Sequence, residues 1–265
     1  MHDFAYHRPA SLADAAKALQ AAADGKLVAG GMTLVPTMKQ RLAAPSDLVD
    51  LGGIAELKGI RAEGGGLVIG AATTHVEVAR SALVKQTIPA LAALAEGIGD
   101  PAVRNRGTIG GSVANNDPAA DYPAGLVGLD ATIHTSKRKI KADDFFTGMF
   151  STALQDGEII TAVSFPKPDR AAYAKFPNPA SRYAMVGVFV AKTGGAVRVA
   201  VTGAGPGVFR AAEMEKALGA SFTADAIKAI TVKADGLSGD IHGSAEYRAH
   251  LVGVMARRAV QAALG

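Results

Sequence analysis

The order of its elements predicts a mixed helix-and-strand fold for this chain. Three observations carry that expectation. The first fifty residues alternate helix, strand, glycine turn, helix, strand. Two apolar runs joined by Gly194-Gly195 follow in the last third. Amphipathic helices then close the chain. With 265 residues, 49% of them hydrophobic, a large core can be buried. Aromatics make up 5% and tryptophan is absent, so that core is expected to be mostly Ala, Val, Leu and Ile.

Each element has a local reason. "SLADAAKALQAAA" (11–23) reads as a helix capped by Ser11, with Asp14 three residues on as a variant capping box. "KLVAGG" reads as a short buried strand ending in Gly30 and Gly31. "TLVPTMKQRLA" (33–43) resumes a helical pattern, with Pro36 tolerable in the first turn. "DLVDL" (47–51) and "GGLVIGAAT" (65–73) read as strands, and "THVEVARS" and "TIPALAALAEGI" (87–98) as helices. "AGLVGLDATIHT" runs from helix into strand. Lys139, Ile140 and Lys141 suggest a hairpin strand with one wet face, and "EIITAVSFP" (158–166) another strand. "PKPDRAAYAKFPNPAS" (166–181) holds four prolines and no sustained periodicity, which marks a domain boundary. Beyond it, "RYAMVGVFVA" and "AVRVAVTGAG" read as an antiparallel hairpin turning at Gly194-Gly195. Helices are expected over 210–219, 223–234 and 245–264. The last places Leu251, Val254, Met255 and Ala259 on its core side.

Composition excludes several functions. The net charge of +4 is spread thinly, unlike a nucleic-acid surface. There is no cysteine, hence no disulfide, thiolate nucleophile or cysteine-held iron–sulfur cluster. No twenty-residue apolar run is present, and "MHDFAYHRPASL" lacks the apolar centre of a signal peptide. A cytoplasmic protein, without membrane insertion, is expected. The six histidines show no metal-ligand spacing, and His75 beside Glu77 reads as a solvated helix start. "VTGAGPGVFR" (201–210) has Val208 where a dinucleotide fingerprint needs glycine, and reads as a strand-to-helix turn. "GGSVA" (110–114) is a loosened nucleophile elbow on Ser112, with Asp121 and His134 or His242 as nominal partners. No buried strand precedes it, so a serine hydrolase is a distant alternative.

The unusual stretch is "TIGGSVANNDPAAD" (108–121), which repeats the Gly-Gly of "AGGMTL" (29–34). Glycine pairs allow φ > 0 and leave no Cβ in the way. One reading is a pair of ordinary surface turns. The other is a pair of loops whose N–H groups converge on an anion, with Thr33 and Ser112 adding hydroxyls. Two such turns would suit the two phosphates of a dinucleotide.

These segments resemble those of the FAD-binding medium subunits of molybdenum hydroxylases, the family that includes carbon monoxide and xanthine dehydrogenases. "LVAGGMTLVPTMKQRLAAPSDLVDL" (27–51) is similar to that family's first flavin motif, and "RNRGTIGGSVANNDPAAD" (104–121) to its second. "TGAGPGVFRAAEMEKALGA" (202–220) and "GDIHGSAEYRAHLVGVMARRAV" (239–260) extend the likeness to the chain's end. The resemblance implies an α+β fold. A two-subdomain FAD-binding domain would span 1–168 (subdomains about 1–54 and 55–168), with a small C-terminal domain of antiparallel strands and helices over 169–265. It implies that Ala29, Gly30, Gly31, Met32, Thr33 and Leu34, with Thr108, Gly110, Gly111 and Ser112, bind the FAD pyrophosphate. Asp121 would serve a ribose hydroxyl. Ile98 and Ile160 would be apolar walls or plain core. Lys175 and Tyr183 would lie near the flavin or on ordinary surface. No catalytic acid, base or nucleophile is implied in this chain. Ser112, Asn115 and Met32 stand where the family usually has Asn, His, and His or Gln, which changes the polar surroundings of a flavin. The partners implied are a large molybdenum-cofactor subunit and a small [2Fe–2S] subunit in a dimer of heterotrimers, together with an external electron acceptor. A flavin-free scaffold subunit is the other reading within the family.

Overall fold

A computed structural model describes residues 1–265. Three larger sheets succeed one another along the chain, with a small two-stranded hairpin beside the second, and the buried apolar residues gather in three clusters. The first is parallel. It contains β1 (Ala5–His7), α1 (Leu12–Ala21), β2 (Gly25–Val28), α2 (Leu34–Lys39) and β3 (Asp47–Asp50), with strand order β1-β3-β2. Ser11 caps α1 by accepting from the Asp14 N–H, as expected. α2 is shorter than the expected 33–43. It stops where Arg41 takes φ +60° and the Leu42 N–H reaches back to the Thr37 carbonyl. β1 escaped the sequence reading because three residues carry no usable period; pairing with β3 makes it a strand.

The second unit opens with β4 (Ile60–Glu63) and β5 (Gly66–Gly70). A run of short helices follows: α3 (His75–Arg80), α4 (Ala82–Thr87), α5 (Pro89–Glu96), α6 (Pro101–Arg106), α7 (Ile109–Asn115) and α8 (Tyr122–Gly128). Then come β6 (Thr132–Thr135), β7 (Lys139–Lys141), α9 (Ala142–Phe145), the small hairpin β8 (Phe146–Gly148) and β9 (Ser151–Thr152), and β10 (Ile160–Phe165). The larger strands pair antiparallel in the order β4-β5-β10-β6-β7. β7 is exposed, buried, exposed, which is the one wet face expected of Lys139-Ile140-Lys141.

The third sheet is antiparallel: β11 (Arg170–Pro177), β12 (Ala184–Thr193), β13 (Ala196–Thr202) and β14 (Phe209–Arg210), followed by α10 (Ala212–Ala220) and α11 (Ala245–Leu264). The β12–β13 hairpin turns through Gly194 and Gly195, both at positive φ, as two-residue hairpin turns require. β12 is buried on both faces. Val186, Val188 and Val190 face the core shared with α11, while Phe189 and Ala191 join the core of the second unit. Hence its sequence is continuously apolar rather than alternating.

Two expectations change. The proline-bounded stretch 166–181 holds the eight-residue strand β11, whose pairing with β12 supplies the order its own pattern lacks. The expected helix over 223–234 shrinks to one tight turn, Asp225–Ile227. The β-branched run Ile230-Thr231-Val232 disfavours continuation. No helix is long and apolar enough to cross a membrane.

Arg198 on β13 fastens the third sheet to the second unit. Its guanidinium grips both Asp143 oxygens at 2.8 and 2.9 Å, Asp130 at 2.8 Å and the Val127 carbonyl at 3.0 Å. Arg198→Met is expected to lower stability by about 1–2 kcal/mol, the range for charged hydrogen bonds at a partly exposed site. Urea denaturation of the full chain reads this directly.

Candidate functional site

The two Gly-Gly segments meet. Gly30 lies against the Arg106–Gly107 peptide so closely that a Cβ there would overlap the Arg106 carbonyl. Gly31, at φ +70°, turns the chain from β2 into α2. Thr108 caps α7, its Oγ1 accepting from the Gly111 N–H at 3.1 Å. Gly110 packs on the end of β5, where a Cβ would come 2.6 Å from the Ala71 Cβ. At Gly111 a Cβ would meet only the Thr108 Oγ1, at 3.0 Å. Of these four glycines, only Gly31 uses the left-handed backbone that the sequence suggested for the pairs. Gly30 and Gly110 serve close approach, and Gly111 keeps an opening clear.

That opening is a cleft of about 690 Å³. Ala29, Gly30, Gly31, Met32, Thr33 and Leu34 line it, and so do Thr108, Gly110, Gly111 and Ser112. Ile98, Asp121, Ile160 and Tyr183 also belong to its wall. Lys175 does not line it. Several wall residues were not singled out from the sequence, among them Leu51, Leu57, Val103, Phe150 and Ile159. They come from separate segments, and nothing local marks an apolar residue as lining a cleft rather than filling a core.

The two loops offer different chemistry. No backbone N–H from Gly30 to Thr33 donates within the chain, so this arc has free donors. At the second motif the N–H groups are already committed: Ile109 to the Thr73 carbonyl, Gly110 to that of Ala71, Gly111 to Thr108 Oγ1 and Ser112 to the Thr108 carbonyl. The expectation of two convergent N–H arcs is therefore corrected to one. Ser112 contributes a half-buried side chain to the cleft lining. It sits inside α7 and follows no strand, so the strand-to-helix corner that a nucleophile elbow needs is not formed at Ser112.

Asp121 has a different immediate task from the ribose contact expected of it. Its carboxylate is 5% exposed and turned onto β11, accepting from the Tyr173 hydroxyl and from Lys175 Nζ at 2.9 Å. Lys175 is thus neither ordinary surface nor cleft wall; it stands behind Asp121 and also donates to the Gly97 carbonyl. His75 corrects another expectation. The helix start is right, with Thr74 and Glu77 forming a full capping box. The side chain, however, is 4% exposed, tilted on Tyr122 with ring centroids 5.4 Å apart, and part of the cleft wall. A Cβ on Gly107 would come 2.6 Å from its Nε2.

Comparison with known proteins agrees with this architecture. Residues 2–168 match the model of the FAD binding domain in molybdopterin dehydrogenase. Residues 171–263 match the CO dehydrogenase flavoprotein C-terminal domain. The chain is 36% identical to the carbon monoxide dehydrogenase medium chain of Hydrogenophaga pseudoflava, over 98% of this chain and 96% of that one. It is also 36% identical to the nicotine 6-hydroxylase medium subunit of Paenarthrobacter nicotinovorans, over 96% and 95%. Among solved structures, a Cu,Mo-CO dehydrogenase chain superposes with a TM-score of 0.89 at 36% identity, covering 99% of this chain and 98% of that one. Quinoline 2-oxidoreductase from Pseudomonas putida 86 gives 0.88 at 31% identity, covering 98% and 96%. The fold and cleft thus define the two-part flavoprotein class of molybdenum-dependent oxidoreductases. The chain belongs to the family of FAD-binding medium subunits of molybdenum hydroxylases.

The cleft suits FAD on its own features: free N–H donors at Gly30 to Thr33, an unfilled position over Gly111, and apolar walls. His75 gives a measurable signature of the same wall. Burial, aided by the Arg104 charge, lowers its pKa from 6.5 to about 4. The unfolded chain binds this proton below pH 6.5 and the folded chain does not. The stability contributed by neutral His75 is therefore full above 6.5 and is lost as pH falls toward 4, by about 3 kcal/mol. His75→Phe, which keeps the contact with Tyr122, is expected to flatten that part of the profile when urea midpoints are compared across this pH range.

Proposed function

We propose that this chain is the FAD-holding electron-transfer subunit of a molybdenum hydroxylase complex. In this reading a large partner carries the molybdenum cofactor and a small partner carries [2Fe–2S] clusters, assembled as a dimer of heterotrimers in the cytoplasm. Bound FAD supplies the chemistry that links single-electron delivery from those clusters to transfer to an external acceptor. The names medium chain and medium subunit borne by the relatives support a multi-subunit setting. The absence of cysteine requires any such cluster to lie on another chain.

The single observation that carries the reading is the free N–H arc of Gly30 to Thr33, pressed through Gly30 against the approach to Thr108. In this assignment the arc holds the diphosphate, with Ala29 and Leu34 as its shoulders and Ser112 adding a hydroxyl from the facing helix. Thr108 shapes that helix's first turn by accepting from the Gly111 N–H, and its own hydroxyl hydrogen remains available to donate. Ile98 and Ile160 supply apolar wall, and Met32 and Tyr183 the rim. Asp121, backed by Lys175, sets the charge of one wall. No side chain here is assigned an acid, base or nucleophilic role. The division of labour follows 1–168 for FAD, with subdomains about 1–54 and 55–168, and 169–265 as the C-terminal domain. A flavin-free scaffold would have no use for unbonded N–H groups in a cleft, which favours the loaded reading.

The discriminating substitution is Gly111→Val. A Cβ there presses only on the Thr108 Oγ1, at 3.0 Å, beside the cleft, whereas one at Gly110 strikes the Ala71 backbone and side chain and disturbs the fold. Purified Gly111→Val is expected to retain its circular dichroism and thermal transition while losing the yellow flavin absorbance. Folded Gly111→Val with full flavin content would overturn the assignment.

A further inference from the structure

Gly187 occupies the middle of β12, a place where glycine weakens a strand unless a neighbour needs the room. The neighbour is Tyr173 on β11, two residues before Lys175, which pairs with Gly187: a Cβ on Gly187 would overlap the Tyr173 hydroxyl and lie 2.8 Å from its Cζ. The Tyr173 ring packs on Phe189 at 6.1 Å between centroids, and its hydroxyl donates to Asp121 Oδ1 while Lys175 Nζ holds Oδ2. Tyr173 and Lys175 are two apart on one strand, so they project from the same face. Both carboxylate oxygens are therefore held from β11, and Asp121 itself lines the cleft.

We propose that Tyr173 is a positioning residue of the FAD cleft: through the gap left by Gly187, its hydroxyl locks the Asp121 carboxylate beside Lys175 so that a paired anion, not a neutral acid, forms that part of the wall. The proposal rests on the FAD reading above. Burial is the largest influence on the Asp121 carboxyl and leaves it raised above its ordinary value, while the Lys175 charge and the hydrogen bonds from Tyr173 and Lys175 hold that rise down. Besides these two, Tyr183 faces Asp121 from the segment before β12 and Tyr122 from its own helix, with Asp117 beyond Tyr183. Burial pushes the phenols of Tyr122, Tyr173 and Tyr183 up, so they stay neutral and Lys175 is the one cation among these groups. Removing the Tyr173 hydroxyl deletes one of the two direct donors and shifts the balance toward protonation.

The test uses the full chain and two readouts. In flavin-free protein with isotope-labelled aspartate, infrared spectra of the unsubstituted chain are expected to show no protonated-carboxyl stretch from Asp121 between about pH 6 and 8. Tyr173→Phe is expected to show one at the lower end of that range, and it should vanish in Tyr173→Phe combined with Asp121→Asn. In FAD-loaded protein, the flavin midpoint potential of Tyr173→Phe is expected to depart from that of the unsubstituted chain in its dependence on pH, with flavin still bound. A protonated Asp121 in the unsubstituted chain overturns the proposal without needing any variant. So does a Tyr173→Phe protein with no new stretch, or with an unchanged potential–pH profile. If the infrared result holds in a chain that takes no FAD, the functional reading falls and the carboxylate lock stands.

Discussion

The contact between Gly30 and the Arg106–Gly107 peptide is the constraint on which the site depends. Two loops separated by some seventy-five residues of sequence can flank one cleft only if their backbones touch. Everything nearby follows from that approach. Gly31 must turn sharply into α2, which leaves the N–H groups of the turn without partners inside the chain. Gly107 must be bare because His75 lies beneath it, and Gly110 must be bare because α7 starts on top of β5. Side-chain-free positions here are spent on proximity more than on unusual dihedral angles.

The polar half of the second motif does a separate job. Asn116 ends α7 in the left-handed region and donates to the Gly148 and Ser151 carbonyls, fixing the small hairpin that carries Phe150 to the cleft. Asp117 closes a turn by accepting from the Ala119 N–H. The Pro118 and Ala120 carbonyls accept from Thr202, and the Ala119 carbonyl from the Ala184 N–H. The run Asn116–Asp121 is thus, with Arg198, a joint at which the third sheet is fastened to the second unit, and its Asp117, Ala120 and Asp121 line the cleft. Small polar residues concentrate there because each turn carbonyl must find a donor from the other side.

How much was legible in the sequence depends on whether the signal was local. The Ser11 cap, the Gly194-Gly195 hairpin and the Lys139-Ile140-Lys141 alternation are local, and each appears where read. The paired glycine motifs were legible as a site, but not the reason for each glycine, which is a tertiary approach. β1 and β11 were missed because partner strands make them, and 223–234 was overread because Ala and Lys suggested a helix that Ile230-Thr231-Val232 does not support. His75 was misplaced because a polar residue at a helix start is usually wet; only the fold reveals the ring of Tyr122 behind it. Asp121 was read from the cleft side, while its partners come from β11, some fifty residues away.

The parallel sheet rests on a cluster of seven buried residues, against thirty in the cluster that the second unit shares with Phe189, Ala191 and Ala200 of the third sheet, and seventeen in the cluster that the third sheet shares with α11. Local opening costs least where the fewest apolar groups must be exposed. That layer carries the Gly30–Thr33 arc, so a ligand gripping the arc and α7 together would brace the weakest wall of its own container. Order in the N-terminal layer is then coupled to ligand concentration.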